Sequence, residues 1–259
     1  MDLFSSRKAP GSLHFRCNIC GAHCLSPMSK LDRETPSCPR CRSTVRMRAM
    51  VHVLSVELFG ESLALPDFPQ RPELTGIGMS DWDGYAAPLS RKLGYTNTYY
   101  DKEPRLDITK VPQEMCGTLD FIVSSDVFEH VQPPVATAFE NVRRLLKPEG
   151  VLVFCVPYGK DPETVEHYPE LCDYHLERED GRYVLYNRTA DGRTQRFENP
   201  AFHGGKGQTL EMRIFSETGL RRECAAAGLS VRFHNSPCFE HGIYWDRDWG
   251  LPMALRRLR

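Results

Sequence analysis

The sequence predicts an α/β fold with helices on both faces of a mostly parallel sheet, and residues 119–156 carry that prediction. Phe121, Ile122 and Val123 form an apolar run too short for a helix and suited to a fully buried strand. Val135, Ala138, Phe139, Val142, Leu145 and Leu146 then recur at helical spacing, so one face of a helix turns inward. VLVFCV, residues 151–156, reads as a second buried strand. A strand, a helix and a strand this close together form a right-handed parallel crossover. Pro133 and Pro134 sit where a first helical turn accepts proline, and Pro148 and Gly150 are expected to stop the helix.

From the N-terminus onward, 259 residues suffice for one sizeable core and a small module, expected at 61–259 and 1–60. Cys17-x2-Cys20 and Cys38-x2-Cys41 stand 17 residues apart, and two such knuckles place four thiolates for a tetrahedral structural zinc. A four-thiolate centre keeps no open position for a substrate. RSTVRMRAMVHVLSVELFG then predicts a helix with Val45, Ala49, Val53 and Leu54 facing a core. Arg42, Arg46 and Arg48 make its start basic, and residues 1–60 hold nine Lys/Arg against four Asp/Glu. A solvated helix face is the expectation there, with a nucleic-acid footprint as the alternative.

PDFPQRP, residues 66–72, reads as a joint, and ELTGIGM and TNTYYD as the next two strands. After the crossover, residues 158–215 are too many for a bare loop and predict a folded lid. Within it, Arg182–Asn187 and Arg193–Asn199 suggest a hairpin through Asp191-Gly192. Ser216 and Glu217 open a last helix that Gly228 closes, followed by two more strands, LSVRFHN and the antiparallel PMALRR.

The charge balance, 33 Lys+Arg against 34 Asp+Glu, creates no global field for nucleic acid or acidic membranes. No stretch has the form of a signal peptide or the length of a membrane span. Ten cysteines in that setting fit a reducing cytoplasm, where paired cysteines favour metal over disulfide.

LDFIVSSDVFEHV at 119–131, with LKPEG at 146–150, resembles the fourth and fifth strands of class I S-adenosylmethionine-dependent methyltransferases. It is most similar to the broad type 11-like family that contains the ubiquinone-pathway O-methyltransferases. The resemblance implies a Rossmann-like, seven-stranded sheet and S-adenosylmethionine as methyl donor. Gly76 and Gly78 then match the glycine turn that lets backbone approach the donor, although Leu74 replaces the usual acid and Ser80 a third glycine. Asp101 falls where the family binds the ribose hydroxyls, and Asp107 where it holds an acid near the adenine, with Ile108 and Ser125 as further donor contacts. Asp126, Glu129 and His130 resemble the metal-binding E-x2-E-H of ubiquinone-pathway and small-RNA methyltransferases, implying a possible Mg²⁺. CPxCxSxxRxR also resembles zinc ribbons found ahead of methyltransferase domains.

Methyl transfer is an in-line displacement, so the protein chiefly aligns a nucleophile and takes its proton. His203, before a Gly-Gly pair, is a candidate base, as are Asp126, Glu129 and His130. The expected acceptor is a hydroxyl of a small molecule or glycan. The alternatives are RNA guided by the basic ribbon, and a non-enzymatic binding module suggested by Leu74 and Ser80.

Overall fold

The computed structural model describes residues 11–203, 209–245 and 247–258. Two short antiparallel strands, β1 (Ser12–Arg16) and β2 (His23–Pro27), carry the first cysteine pair between them. Helix α1 (Val45–Phe59) follows the second pair. It starts where Thr44 Oγ1 accepts the Met47 N–H at 3.4 Å and ends at Gly60, whose left-handed φ of 78° closes the last turn. Val45, Ala49, Val53 and Leu54 are buried, as their spacing predicts. The basic start is not a solvated face. Arg48 is fully buried, donating to the Ser43 and Gly242 carbonyls and to Ser37 Oγ, because fixed oxygens satisfy its guanidinium.

Six strands form the main sheet. Strand β3 (Arg71–Met79), helix α2 (Asp83–Ser90), strand β4 (Leu93–Thr98), strand β5 (Leu119–Ser125), helix α3 (Ala136–Leu145) and strand β6 (Leu146–Cys155) come in sequence. After the lid, helix α4 (Glu217–Ala226) leads into strands Leu229–Phe233 and Met253–Arg257. The order across the sheet is Leu229–Phe233, Met253–Arg257, β6, β5, β3, β4, parallel throughout except for Met253–Arg257.

Three sequence expectations need correction. The sheet has six strands among the described residues, not seven: the segment around RLDIT forms a single parallel bridge, Tyr99 to Arg105, and then turns on Asp107. Strand β4 ends at Thr98, three residues before Asp101. Helix α3 stops at Leu145, and Pro148 and Gly150 lie in a bulge of β6, which pairs Leu146 with Leu119 and Val151 with Phe121.

Alternation along β5 and β6 divides the core. Phe121, Val123, Val151 and Val153 pack with α1, α2 and the cysteine module, whereas Ile122, Leu152 and Phe154 pack with α3 and α4. The N-terminal module thus shares one apolar core with the sheet. Residues 158–215 are folded, with an antiparallel sheet of Asp173–Glu179, Arg182–Arg188 and Thr194–Glu198 over a small core of Tyr168, Leu171, Leu185, Leu210 and Met212. Among the described residues, no helix is long and apolar enough to cross a membrane.

Candidate active site

A cavity of about 450 Å³ opens at the carboxyl ends of β3 and β5, where ligands of parallel sheets bind. Arg46 and Met47 of α1 form one wall, and Ser80, Asp81 and Trp82 of the turn after β3 another. Ser125 and Asp126 close it from β5, with His130 beyond them and His203 and Thr209 from the lid. Of the residues singled out in the sequence, it gathers Ser125, Asp126, His130 and His203, with Glu129 buried directly behind.

Asp126 is held by the N-terminal module. Its Oδ1 accepts from Arg33 Nη2 at 2.6 Å, and its Oδ2 lies 3.3 Å from Arg33 Nη1 and 3.2 Å from Arg46 Nε. Two guanidiniums fix it in a left-handed backbone conformation (φ 55°) that only a short polar side chain tolerates well. The expected Asp126 metal ligand is therefore corrected: both of its oxygens already face cations. Arg46 is itself gripped by Glu34 at 2.8 Å through both carboxylate oxygens and donates to Ser125 Oγ at 2.7 Å.

Glu129 is 1 % exposed, yet neither carboxylate oxygen has a well-directed hydrogen bond among the described residues. His203 Nδ1 approaches Oε1 to 3.2 Å and His130 Nε2 to 3.8 Å. His130 donates from Nδ1 to the Leu210 carbonyl at 2.7 Å, which leaves Nε2 as its lone-pair nitrogen. Burial pushes Glu129 up, and the neighbouring carboxylate pushes His203 up, so both shifts act to retain a proton at the pair. Glu129, His130 and His203 bring one donor atom each within 4.8 Å of one another. Two imidazoles and a carboxylate suit a transition divalent ion better than the Mg²⁺ expected from the sequence.

The glycine motif also needs correction. Gly76 and Gly78 lie inside β3, and a methyl there would overlap the Phe121 ring in one case and Tyr95 Oη and Asp81 Oδ2 in the other. The absent side chains make room for these protein groups. Ser80, at the expected third glycine, adopts the left-handed φ of 56° that a glycine would take. Next to it Asp81, unremarked in the sequence, accepts hydrogen bonds from Tyr85 at 2.7 Å and Tyr95 at 2.6 Å. Burial pushes its carboxyl up to about 7. A lone aspartate in a turn gave no signal, because its two tyrosine partners come from α2 and β4.

Asp101, Asp107 and Ile108 follow β4 and stand outside the cavity lining. Asp101 is exposed. Asp107 Oδ1 accepts from the Thr109 N–H at 2.9 Å and the Thr109 hydroxyl at 2.7 Å, a local turn, and Ile108 is buried with its carbonyl bound by Asn141. The cysteines do converge. Cys17 and Cys41 sulfurs lie 3.6 Å apart and Cys20 and Cys38 sulfurs 3.7 Å. A tetrahedron of 2.3 Å zinc–sulfur bonds has edges of about 3.8 Å, so these four fit a zinc ion.

The model of a family described as a methyltransferase domain matches residues 69–233. The chain belongs to this methyltransferase family. It is a methyltransferase of the class I, S-adenosylmethionine-dependent kind that residues 119–150 resemble. A comparison with curated proteins finds no match. Among solved structures, the methyltransferase is similar to an S-adenosylmethionine-dependent methyltransferase from Clostridium acetobutylicum ATCC 824 (12 % identity, TM-score 0.44, 71 % of this chain and 84 % of that one). It is also similar to 1,6-didemethyltoxoflavin-N1-methyltransferase from Burkholderia thailandensis (15 %, 0.46, 82 % and 78 %). A third is the sugar N-methyltransferase KedS8 from Streptoalloteichus sp. ATCC 53650 (13 %, 0.42, 80 % and 85 %). Arg33, Glu34 and Arg46 lie outside the matched residues of the methyltransferase.

Proposed function

We propose that the protein methylates a hydroxyl of a small molecule or glycan, with His203 as general base and Glu129 as the carboxylate that holds it. The observation that carries the reading is the buried, underbonded Glu129 facing His203 at the edge of the cavity. S-adenosylmethionine presents an electrophilic methyl. The acceptor oxygen bonds to the methyl carbon while the carbon–sulfur bond breaks and its electron pair stays on sulfur. The hydroxyl proton passes to His203, and Glu129 stabilises the imidazolium. Asp101, Asp107 and Ile108 are assigned to the adenosine end and Ser125 to the cavity wall beside the donor. Cys17, Cys20, Cys38 and Cys41 are assigned to a structural zinc. RNA is the weaker alternative, since Arg46 and Arg48 are engaged inside the protein.

Transfer of labelled methyl from S-adenosylmethionine to a panel of hydroxyl acceptors tests this. His203→Ala is expected to lower the rate by about a hundredfold or more with S-adenosylhomocysteine affinity retained. Undiminished transfer in that variant would overturn the base. A second reading follows from the same underbonded carboxylate: a divalent ion on Glu129, His130 and His203 that acidifies the acceptor. A rate that depends on added Mn²⁺ or Mg²⁺ selects it.

A further inference from the structure

A fully buried cation packs against the turn that carries Glu129 and has no part in the chemistry above. Arg213 opens the strand Arg213–Ser216, and its side chain is shielded from solvent. Its Nε donates to Glu166 Oε1 at 2.6 Å and its Nη1 to the Phe128 carbonyl at 2.6 Å. Glu166, in the short strand Val165–Glu166, stands directly opposite Arg213 in an antiparallel pairing, so the two side chains share one face. A buried ion pair is weak evidence of stabilisation, since an apolar side chain of similar volume often fills such a space as well or better. What the planar fork adds is direction, because its N–H groups point at fixed acceptors on two different elements. This contact is one of three in register. Phe128, Glu129 and His130 form a single 3-10 turn. Arg213 holds the Phe128 carbonyl, the Met212 N–H donates to the Glu129 carbonyl at 2.7 Å, and His130 Nδ1 donates to the Leu210 carbonyl at 2.7 Å. The same stretch of lid seats His203, since Thr209 pairs with His203 and Leu210 with Phe202.

Glu129 and His203 are thus joined through one strip of lid backbone, bonded residue by residue to the turn. We propose that Arg213, anchored by Glu166, is a positioning residue that seats the returning lid on the Phe128–His130 turn and thereby sets His203 against Glu129. The inference rests on His203 being the base of the proposed reaction. Arg213 stands outside the cavity lining and acts through the carbonyl of Phe128, one residue before Glu129. A displacement of about 1 Å would open the 3.2 Å approach of His203 to Glu129, and misplacements of that size can cost about a hundredfold in rate.

Two readouts on the full chain test it. The first is the proton–nitrogen correlation spectrum of the His203 ring, assigned by its loss in His203→Ala and recorded at alkaline pH, where the ring is neutral. Glu129 facing Nδ1 selects the Nδ1–H tautomer in the wild type, and Arg213→Met is expected to shift His203 toward the Nε2–H tautomer that free histidine prefers. Arg213→Lys keeps the charge and loses the fork, and Glu166→Gln loosens its anchor. Each should produce a smaller shift, and they carry the test if Arg213→Met does not fold. The second readout is the rate with labelled S-adenosylmethionine and a hydroxyl acceptor that the wild type methylates. Arg213→Lys should lower kcat about tenfold, leave KM within about twofold, and have no further effect in the His203→Ala background. A wild type with Nε2–H, or a spectrum unchanged in all three variants, overturns the positioning role. So does an equal loss of rate with and without His203, which would mark Arg213 as general support of the fold. Undiminished transfer by His203→Ala overturns the base itself, and the inference falls with it.

Discussion

The acid–base chemistry proposed above falls on Glu129 and His203, 74 positions apart in the sequence, whose side chains meet at 3.2 Å. Because the carboxylate raises His203, the imidazole is protonated, and useless as a base, up to a pH above its ordinary value of 6.5. The rate should therefore climb with pH through that raised value and level off. Glu129→Gln removes the cause, so the midpoint is expected to move to lower pH and the plateau to fall by about ten- to a hundredfold. A kcat/KM profile whose midpoint stays in place or rises would count against the pairing. Asp81 supplies a stability prediction of opposite interest. Its folded carboxyl titrates near 7 against an ordinary 3.8, so the folded protein keeps a proton that the unfolded chain releases between those values. Stability lost to this group accrues as pH rises from about 4 to 7 and stays lost above it. Asp81→Asn lacks the titration, and its melting temperature relative to wild type should rise by several degrees between pH 4 and pH 8. Melts at the two pH values measure that difference directly.

At the scale of elements, what the sequence revealed followed from local periodicity. Phe121–Val123 and residues 151–155 are strands because β5 and β6 are buried on both faces, and α1 has its buried face where Val45, Ala49, Val53 and Leu54 predict it. The lid hairpin was equally visible, since a turn between two alternating runs is local information. What stayed hidden depends on partners distant in sequence. The seventh strand that the resemblance implies does not form among the described residues, since after the single Tyr99–Arg105 bridge the chain turns on Asp107 and Thr109. Gly76 and Gly78 matched a donor-binding motif, yet the side chains that fill their space are Phe121 and Tyr95. Gly78→Ala is expected to cost about 1–3 kcal/mol by overpacking, with Asp81 displaced from its tyrosines. Gly60→Ala, where nothing lies within 4 Å, should cost only the left-handed strain of about 1 kcal/mol. Denaturant midpoints of the two variants separate crowding from backbone strain.

The molecule as a whole ties its N-terminal module to the sheet at several points. Arg33 bonds Asp126 and the Gly250 carbonyl, Arg48 bonds the Gly242 carbonyl, and Cys17, Cys38 and α1 share a core with Phe121 and Val153. A ribbon joined only by a linker would melt by itself; this one has no separate core to melt. The four cysteines come from two turns and lie close enough to share one metal ion, so metal binding energy would be folding energy for the wall that carries Arg33 and Arg46. Metal analysis should find about one zinc per chain. Removing it with a strong chelator is expected to lower the main thermal transition, not to produce an early melt followed by an unchanged one. Two independent transitions would show the ribbon to be an appended staple and not part of the shared core.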